Sequence, residues 1–308
     1  MKINRLKTEI RVLTERYHEL IEENPQGFLK ILKKEIPEAV CNSNAIDGST
    51  LMLKEAKNII LHGKVGKATS VKEVYLTKNL GAAMEAVVGN PSQSLSVPLI
   101  LELHKKFLAG VDDAAAGQLR IDNRRTKKDA RPGADAEFVY ALLENLVKRY
   151  NEEPREFLEK IAFFHAEFET MRPFVTGNGQ IGRLIVDKQL MALDFPPIIV
   201  QNRGNSAEYQ ELFSQYKKAG NYDGFTMFFA LALVESLHRF IALLEGKKTI
   251  PLSKWAKNYN IKANIASNKA KRQVIPAFRH DGRWQIDADF TPEPEAEPWG
   301  DFITTPVE

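Results

Sequence analysis

A single cysteine, Cys41, in 308 residues leaves no partner for an internal disulfide and offers nothing toward a metal site, so it reads as a small buried apolar residue. The start, Met-Lys-Ile-Asn-Arg-Leu-Lys-Thr-Glu, lacks the apolar core of a secretion signal. The longest apolar run, Phe225 to Val234, falls well short of the about 20 residues that a membrane span needs. Together these absences lead us to expect a cytoplasmic protein with no membrane partner. Charge of one sign is also scarce: 43 Lys and Arg stand against 40 Asp and Glu, and a net +3 is too small to argue for any partner on average. What is present, 44% apolar and 27% charged residues, is the composition of a globular chain with ample core, and the length predicts about two domains.

The chain is organised around Phe164 to Leu190. Ile161, Phe164 and Phe168 are spaced for one buried helix face, and Pro173 requires that helix to have ended. Gly177, Asn178 and Gly179 then precede a second periodic stretch, Ile181, Leu184 and Ile185, with Arg183 one turn in. Small residues at a helix start leave backbone N–H groups facing outward, where the helix dipole adds partial positive charge. Helix, Gly-Asn-Gly loop and helix therefore make an anion cradle suited to phosphate, with Gly177, Asn178, Gly179, Gln180 and Arg183 as candidate contacts.

This stretch resembles the central motif of Fic (Fido) proteins, His-Pro-Phe-x-Asp/Glu-Gly-Asn-Gly-Arg-x-x-Arg, at Pro173, Phe174, Gly177, Asn178, Gly179 and Arg183, with a fitting context at Phe164, His165, Phe168, Glu169, Gly182 and Leu184. The resemblance implies a mainly α chain: a Fido-fold helical core with a small β-hairpin flap, and AMP transfer from ATP to a hydroxyl on a target protein. It fails where the chemistry sits. The family's catalytic His falls on Arg172, its metal-binding acid on Thr176 and its first motif Arg on Gln180. A general base must release and regain a proton near neutral pH, which a guanidinium does not do. Losing the base removes about 10²–10⁴-fold in rate. Thr176 is at best a weak Mg²⁺ ligand, and Gln180 keeps donors without charge. The implied cofactor is ATP with Mg²⁺, weakly held, or none.

Ser43-Asn-Ala-Ile-Asp47-Gly48 resembles the family's inhibitory motif, Ser/Thr-x-x-x-Glu-Gly/Asn, whose acid reaches the second motif Arg, here Arg183. Ser43 capping a turn and Asp47 ending a short helix is the alternative. Upstream, residues 3 to 22 form a packing helix, an apolar segment leads to Pro37, and a helix follows from about Leu51 to Leu61 with Ser49 or Thr50 as its cap. Further helices are expected at 70–88, 99–108, with His104 in a packing or surface role, and 136–150. Gly117-Gln-Leu-Arg120 resembles the lead into the flap, which in the family pairs with the target protein. Arg124, Arg125, Lys127, Lys128 and Arg131 crowd that flap, fitting an acidic partner or, more commonly, a solvated loop.

Beyond a closing helix at 225–244, the chain is basic from Lys247 to Arg283 and acidic from Asp287 to Glu308. A helix, tight turn and helix over 253–272, then alternation around Asp281-Gly282, resemble the winged helix-turn-helix of excisionase and MerR-like DNA-binding modules. Lys262, Lys269, Lys271 and Arg272 would face a groove, and Arg279 and Arg283 would sit on the wing near phosphates. The alternative is a protein-contact module of the same shape. The expected organisation is an N-terminal helical region at 1–95, a Fic core at 96–245, a winged helix-turn-helix at 246–288 and an acidic tail at 289–308. The sequence thus points to a degenerate Fic-family protein, not an ordinary AMPylating enzyme, that binds nucleotide and acts in regulation or on DNA. A protein adenylyltransferase with a non-standard active site is the alternative, and oligomeric state is left open.

Overall fold

The computed structural model describes residues 3–66, 69–123 and 133–292. The basic flap residues Arg124 to Arg131 and the acidic tail from 293 onward lie outside them.

Among the described residues the fold is mainly helical. α1 (Ile3–Glu23) turns Leu6, Ile10, Tyr17 and Leu20 inward and lies along α10 (Asp223–Leu244), which buries Phe225, Phe229, Leu233, Leu237 and Phe240. α10 is apolar and long enough to cross a bilayer, but 56% of its apolar window is buried inside the protein, as in a core helix. α2 (Pro25–Ile46) starts with Pro25 behind Asn24, whose Oδ1 accepts from Gly27 N at 2.9 Å. It runs through Pro37 instead of stopping there, although proline has no N–H to continue the ladder. α3 (Leu53–His62) is capped at Met52, whose N–H donates to Glu55 at 2.8 Å; the Ser49 hydroxyl and Thr50 N–H go to Glu73 instead, so neither residue caps α3.

α4 (Val71–Gly89), α5 (Val97–Leu108), a 3₁₀ turn at Ala136–Phe138, α6 (Val139–Glu152), α7 (Phe157–Met171), α8 (Asn178–Met191) and α9 (Asn202–Ala219) complete the helical body. α8 is its axis. From Gln180 to Met191 every side is buried, against α7, α4, α5 and α2. An α-helix apolar on one face only would expose the other; here Asp187, Lys188 and Gln189 are buried too.

The C-terminal part is small. β1 (Thr249–Pro251), β2 (Phe278–His280) and β3 (Arg283–Asp287) form an antiparallel sheet in the order β1-β3-β2, with Ile250 opposite Ile286 and Arg279 opposite Trp284. α11 (Leu252–Asn258) and α12 (Ala263–Lys271) close over it around Leu252, Trp255, Ala266, Ala270 and Ile286. The hairpin turns at Asp281 and Gly282, both with positive φ, which matches the twist of the flanking strands. β1 is a third strand that the sequence pattern does not announce.

Candidate active site

The link between α7 and α8 builds the site. α7 ends at Met171, and Arg172 follows in the left-handed region with φ 54°. Arg120 then fixes this loop: its backbone N–H donates to Pro173 O at 3.0 Å, and its guanidinium donates to Arg172 O at 2.7 Å, to Met171 O and to Ala134 O. His104 fixes the other side. Its ring stacks on Phe174 at 3.6 Å, Nδ1 accepts from Gly117 N at 3.0 Å, and Nε2 therefore carries the proton donated to Thr176 O at 3.1 Å. Burial pushes His104 down to about 4, so it stays neutral.

Gly177, at φ 79°, caps α8, and a Cβ there would strike the Phe107 ring at 2.8 Å. Asn178 is 3% exposed and spends its side chain on the loop: Oδ1 accepts from Phe174 N at 2.9 Å and Nδ2 donates to Phe174 O at 2.8 Å. Its side chain thus braces the loop, which leaves only its backbone N–H for the expected anion contact. What remains for an anion is the first turn of backbone N–H groups on α8, which have no partner within a helix.

That place holds an anion already. Arg183, 7% exposed, donates Nε to Ser43 Oγ and Nη2 to Ser43 O, both at 2.9 Å, and pairs with the Asp47 carboxylate. A Cβ built on Gly179 would lie 2.7 and 2.8 Å from the two Asp47 oxygens. The carboxylate thus rests directly over the start of α8. Burial pulls the Arg183 guanidinium down, but Asp47, Tyr209 and Glu169 outweigh it and leave it above its ordinary value. Arg172, half-buried, is held below its ordinary value by burial; Asp47 opposes that shift and Arg120 adds to it. A guanidinium in this state is a cation and a donor, never a proton acceptor.

Arg172, Thr176, Gly177, Asn178, Gly179, Gln180, Arg183 and Asp47 line one cleft of about 1080 Å³, walled by α4 and α9 and joined by Glu73, Glu169 and Tyr209. His165 is not in it. Fully buried, it accepts from Tyr209 OH at Nε2 (2.6 Å) and meets Gly182 O at Nδ1 (3.3 Å), and burial together with Arg183 pushes it down to about 3. It supports Arg183 through Tyr209 and cannot replace the absent base.

Position 176 offers no carboxylate to a metal. Thr176 is exposed and neutral, and among the described residues the one group of three or more His, Cys, Asp or Glu side chains within ligand reach of each other is Glu35, Glu38 and His280, outside the cleft.

In the C-terminal part, Lys262, Lys271, Arg272 and Arg283 are exposed and Lys269 half-buried. Arg279 is 8% exposed and bidentate on Glu235 of α10, with Nε–Oε1 2.9 Å and Nη2–Oε2 2.8 Å, and its guanidinium lies over the Trp284 ring. It does not face solvent as a wing residue near phosphate would. The hairpin tip is docked as well, Asp281 and Gly282 N–H donating to Glu38 at 2.8 and 2.9 Å. Sequence reasoning missed His104 and Glu73 as builders of the cleft and had Arg120 and Glu169 only as motif context. The partners of His104 and Glu73 lie far along the chain, where no local signal reaches.

Comparison with known proteins bears on the fold and on the stretch that holds this cleft. Residues 94–190 match the model of the Fic/DOC family. Protein adenylyltransferase fic-1 of Caenorhabditis briggsae is 26% identical over 213 residues, 67% of this chain and 41% of that protein. The chain thus spans less than half the length of that curated relative. Among solved structures, a Fic domain containing signaling protein from Bacteroides thetaiotaomicron superposes with a TM-score of 0.70 at 22% identity, covering 78% of this chain and 98% of that one. A Fic family protein from Desulfovibrio desulfuricans gives 0.67 at 18% identity over 94% and 97%.

Proposed function

We propose, from the premise that residues 94–190 are a Fic/DOC-family domain, that this chain binds ATP at the start of α8 in competition with its own Asp47. We further propose that it transfers the nucleotidyl group to a protein hydroxyl slowly, because residue 172 grips phosphate but takes no proton. The observation that carries this reading is the Asp47 carboxylate seated over Gly179 and paired to Arg183, a resident anion where a ligand phosphate would be held by the same groups. The curated relatives are named protein adenylyltransferases, which favours transfer over a protein that acts by binding alone.

In such a transfer the hydroxyl oxygen bonds to the α-phosphorus, the bond to pyrophosphate breaks, and the hydroxyl proton must leave. Arg172 stabilises charge on the phosphates and leaves that proton to water. Mg²⁺, where present, would arrive on the triphosphate and not on a protein cage. Titration of ATP into the protein tests the reading: Asp47→Ala binds at least tenfold more tightly than the parent, and equal affinities overturn it.

A second reading is supported by the exposed Lys262, Lys271 and Arg272 around α12, a basic edge suited to nucleic acid. A gel shift abolished by Lys271→Glu with Arg272→Glu supports DNA contact there; an unchanged shift removes it.

A further inference from the structure

α2 carries the Asp47 plug at one end, and its middle holds a defect. Pro37 has no N–H, so one bond of the helix ladder is missing there, at the carbonyl of Lys33. The segment from Glu38 to Asp47, which ends on Arg183, hangs from that weak point. The β2–β3 hairpin grips α2 on both sides of it. Before the proline, Glu35 meets His280 Nδ1 at 3.5 Å and Arg239 of α10 at 3.3 Å. After it, Glu38 accepts both turn N–H groups, from Asp281 at 2.8 Å and Gly282 at 2.9 Å, with Lys57 of α3 pairing to Asp281. Glu35 and Glu38 are 6% and 2% exposed, so these carboxylates depend on the hairpin and Arg239 for their partners. Buried charge without them is strongly unfavourable, so docking of the hairpin adds to the helix packing around Leu32, Ile36 and Val40 in holding α2 here. The neighbouring tethers of this segment are neutral: Asn42 accepts from Asn202 N and Asn44 donates to Thr77.

We propose that the C-terminal sheet is a clamp that splints α2 across Pro37 and thereby holds Asp47 on the anion cradle, so that undocking the hairpin opens the nucleotide site. Glu38 lies nine residues before Asp47, about 13 Å along the helix, far enough that it touches no ligand in the cleft. The clamp and the site are coupled through the turns of α2 that follow Pro37, anchored by Glu38 at one end and Asp47 at the other. The inference rests on the reading of Asp47 as a plug.

The test uses the full chain and two readouts. Hydrogen exchange at the amides of residues 43–48 is compared between the parent and Glu38→Ala, with α8 as the folded reference; Glu38→Gln, which keeps one acceptor, serves if the alanine variant does not fold. Exchange about 5- to 150-fold faster at 43–48, with α8 protection retained, is the expected result, and unchanged exchange overturns the clamp whatever ATP does. ATP affinity then closes a double-mutant cycle. Glu38→Ala tightens ATP binding by about fivefold or more in the parent and leaves Asp47→Ala unaltered; an equal gain in both backgrounds places its effect outside the plug and overturns the proposal. Failure of Asp47→Ala itself to tighten ATP binding counts against the proposed function alone, since the exchange measurement still decides the clamp.

Discussion

Replacing Arg172 by His, in a chain already carrying Asp47→Ala, tests whether the missing base limits transfer. The backbone permits the change: residue 172 sits at φ 54°, a region where His is among the better tolerated side chains. Two opposed effects follow. An imidazole that accepts the hydroxyl proton is worth about 10²–10⁴-fold in the chemical step, or roughly 3–5 kcal/mol of barrier. Loss of a guanidinium from a phosphate contact costs about 1.5–3 kcal/mol of binding, roughly ten- to hundredfold in affinity. The double variant therefore shows a kcat at least about a hundredfold above Asp47→Ala alone, with a KM for ATP raised about tenfold or more. Labelled ATP with Mg²⁺ and a protein acceptor at saturating nucleotide gives both constants. A kcat unmoved by Arg172→His, in a variant that melts like its parent, would refute the argument that proton removal is what residue 172 lacks.

Other consequences are open to measurement. Asn178→Ala removes both hydrogen bonds that brace Phe174 and strands two buried backbone groups, so it lowers stability by about 1–3 kcal/mol in denaturant unfolding and abolishes ATP binding. Asp187 is 6% exposed and burial pushes it up to about 7, well above the ordinary carboxyl value of 3.8. A carboxyl raised in the folded state gives stability that is full below the unfolded value and lost as pH climbs through the folded one. Stability should therefore fall between about pH 4 and 7, by up to roughly 4 kcal/mol, and Asp187→Asn should flatten that slope in melts across the range. Arg279→Ala leaves the half-buried Glu235 without its guanidinium partner, though still accepting the backbone N–H of residue 279, which destabilises by about 1–3 kcal/mol without altering any DNA gel shift; a shift lost in a folded variant would return Arg279 to the nucleic-acid surface.

The α7–loop–α8 architecture was legible because its signals are local: apolar spacing, Pro173, and glycines where α8 begins. Asp47 opposite Arg183, 136 positions away, was legible only through likeness to a family motif, since spacing carries no information at that distance. Pro37 shows a local rule overridden by tertiary contacts, Leu32, Ile36 and Val40 being buried on either side of the missing bond. Arg279 was read as solvent-facing charge because its partner, Glu235, lies on a distant helix. That the Asn178 side-chain amide closes back on Phe174, four residues earlier, is likewise not visible in the sequence. His104 looked partnerless for the same reason, its two partners coming from Gly117 and Thr176.

The central claim is that Asp47 occupies the position of a nucleotide phosphate. A crystal structure of Asp47→Ala soaked with ATP tests it most directly. The account predicts phosphate oxygens within hydrogen-bonding distance of the Gly179 and Gln180 backbone N–H groups and of the Arg183 guanidinium, in the space the carboxylate vacates. Nucleotide bound elsewhere in the cleft, with the start of α8 and Arg183 bare of phosphate, would contradict it.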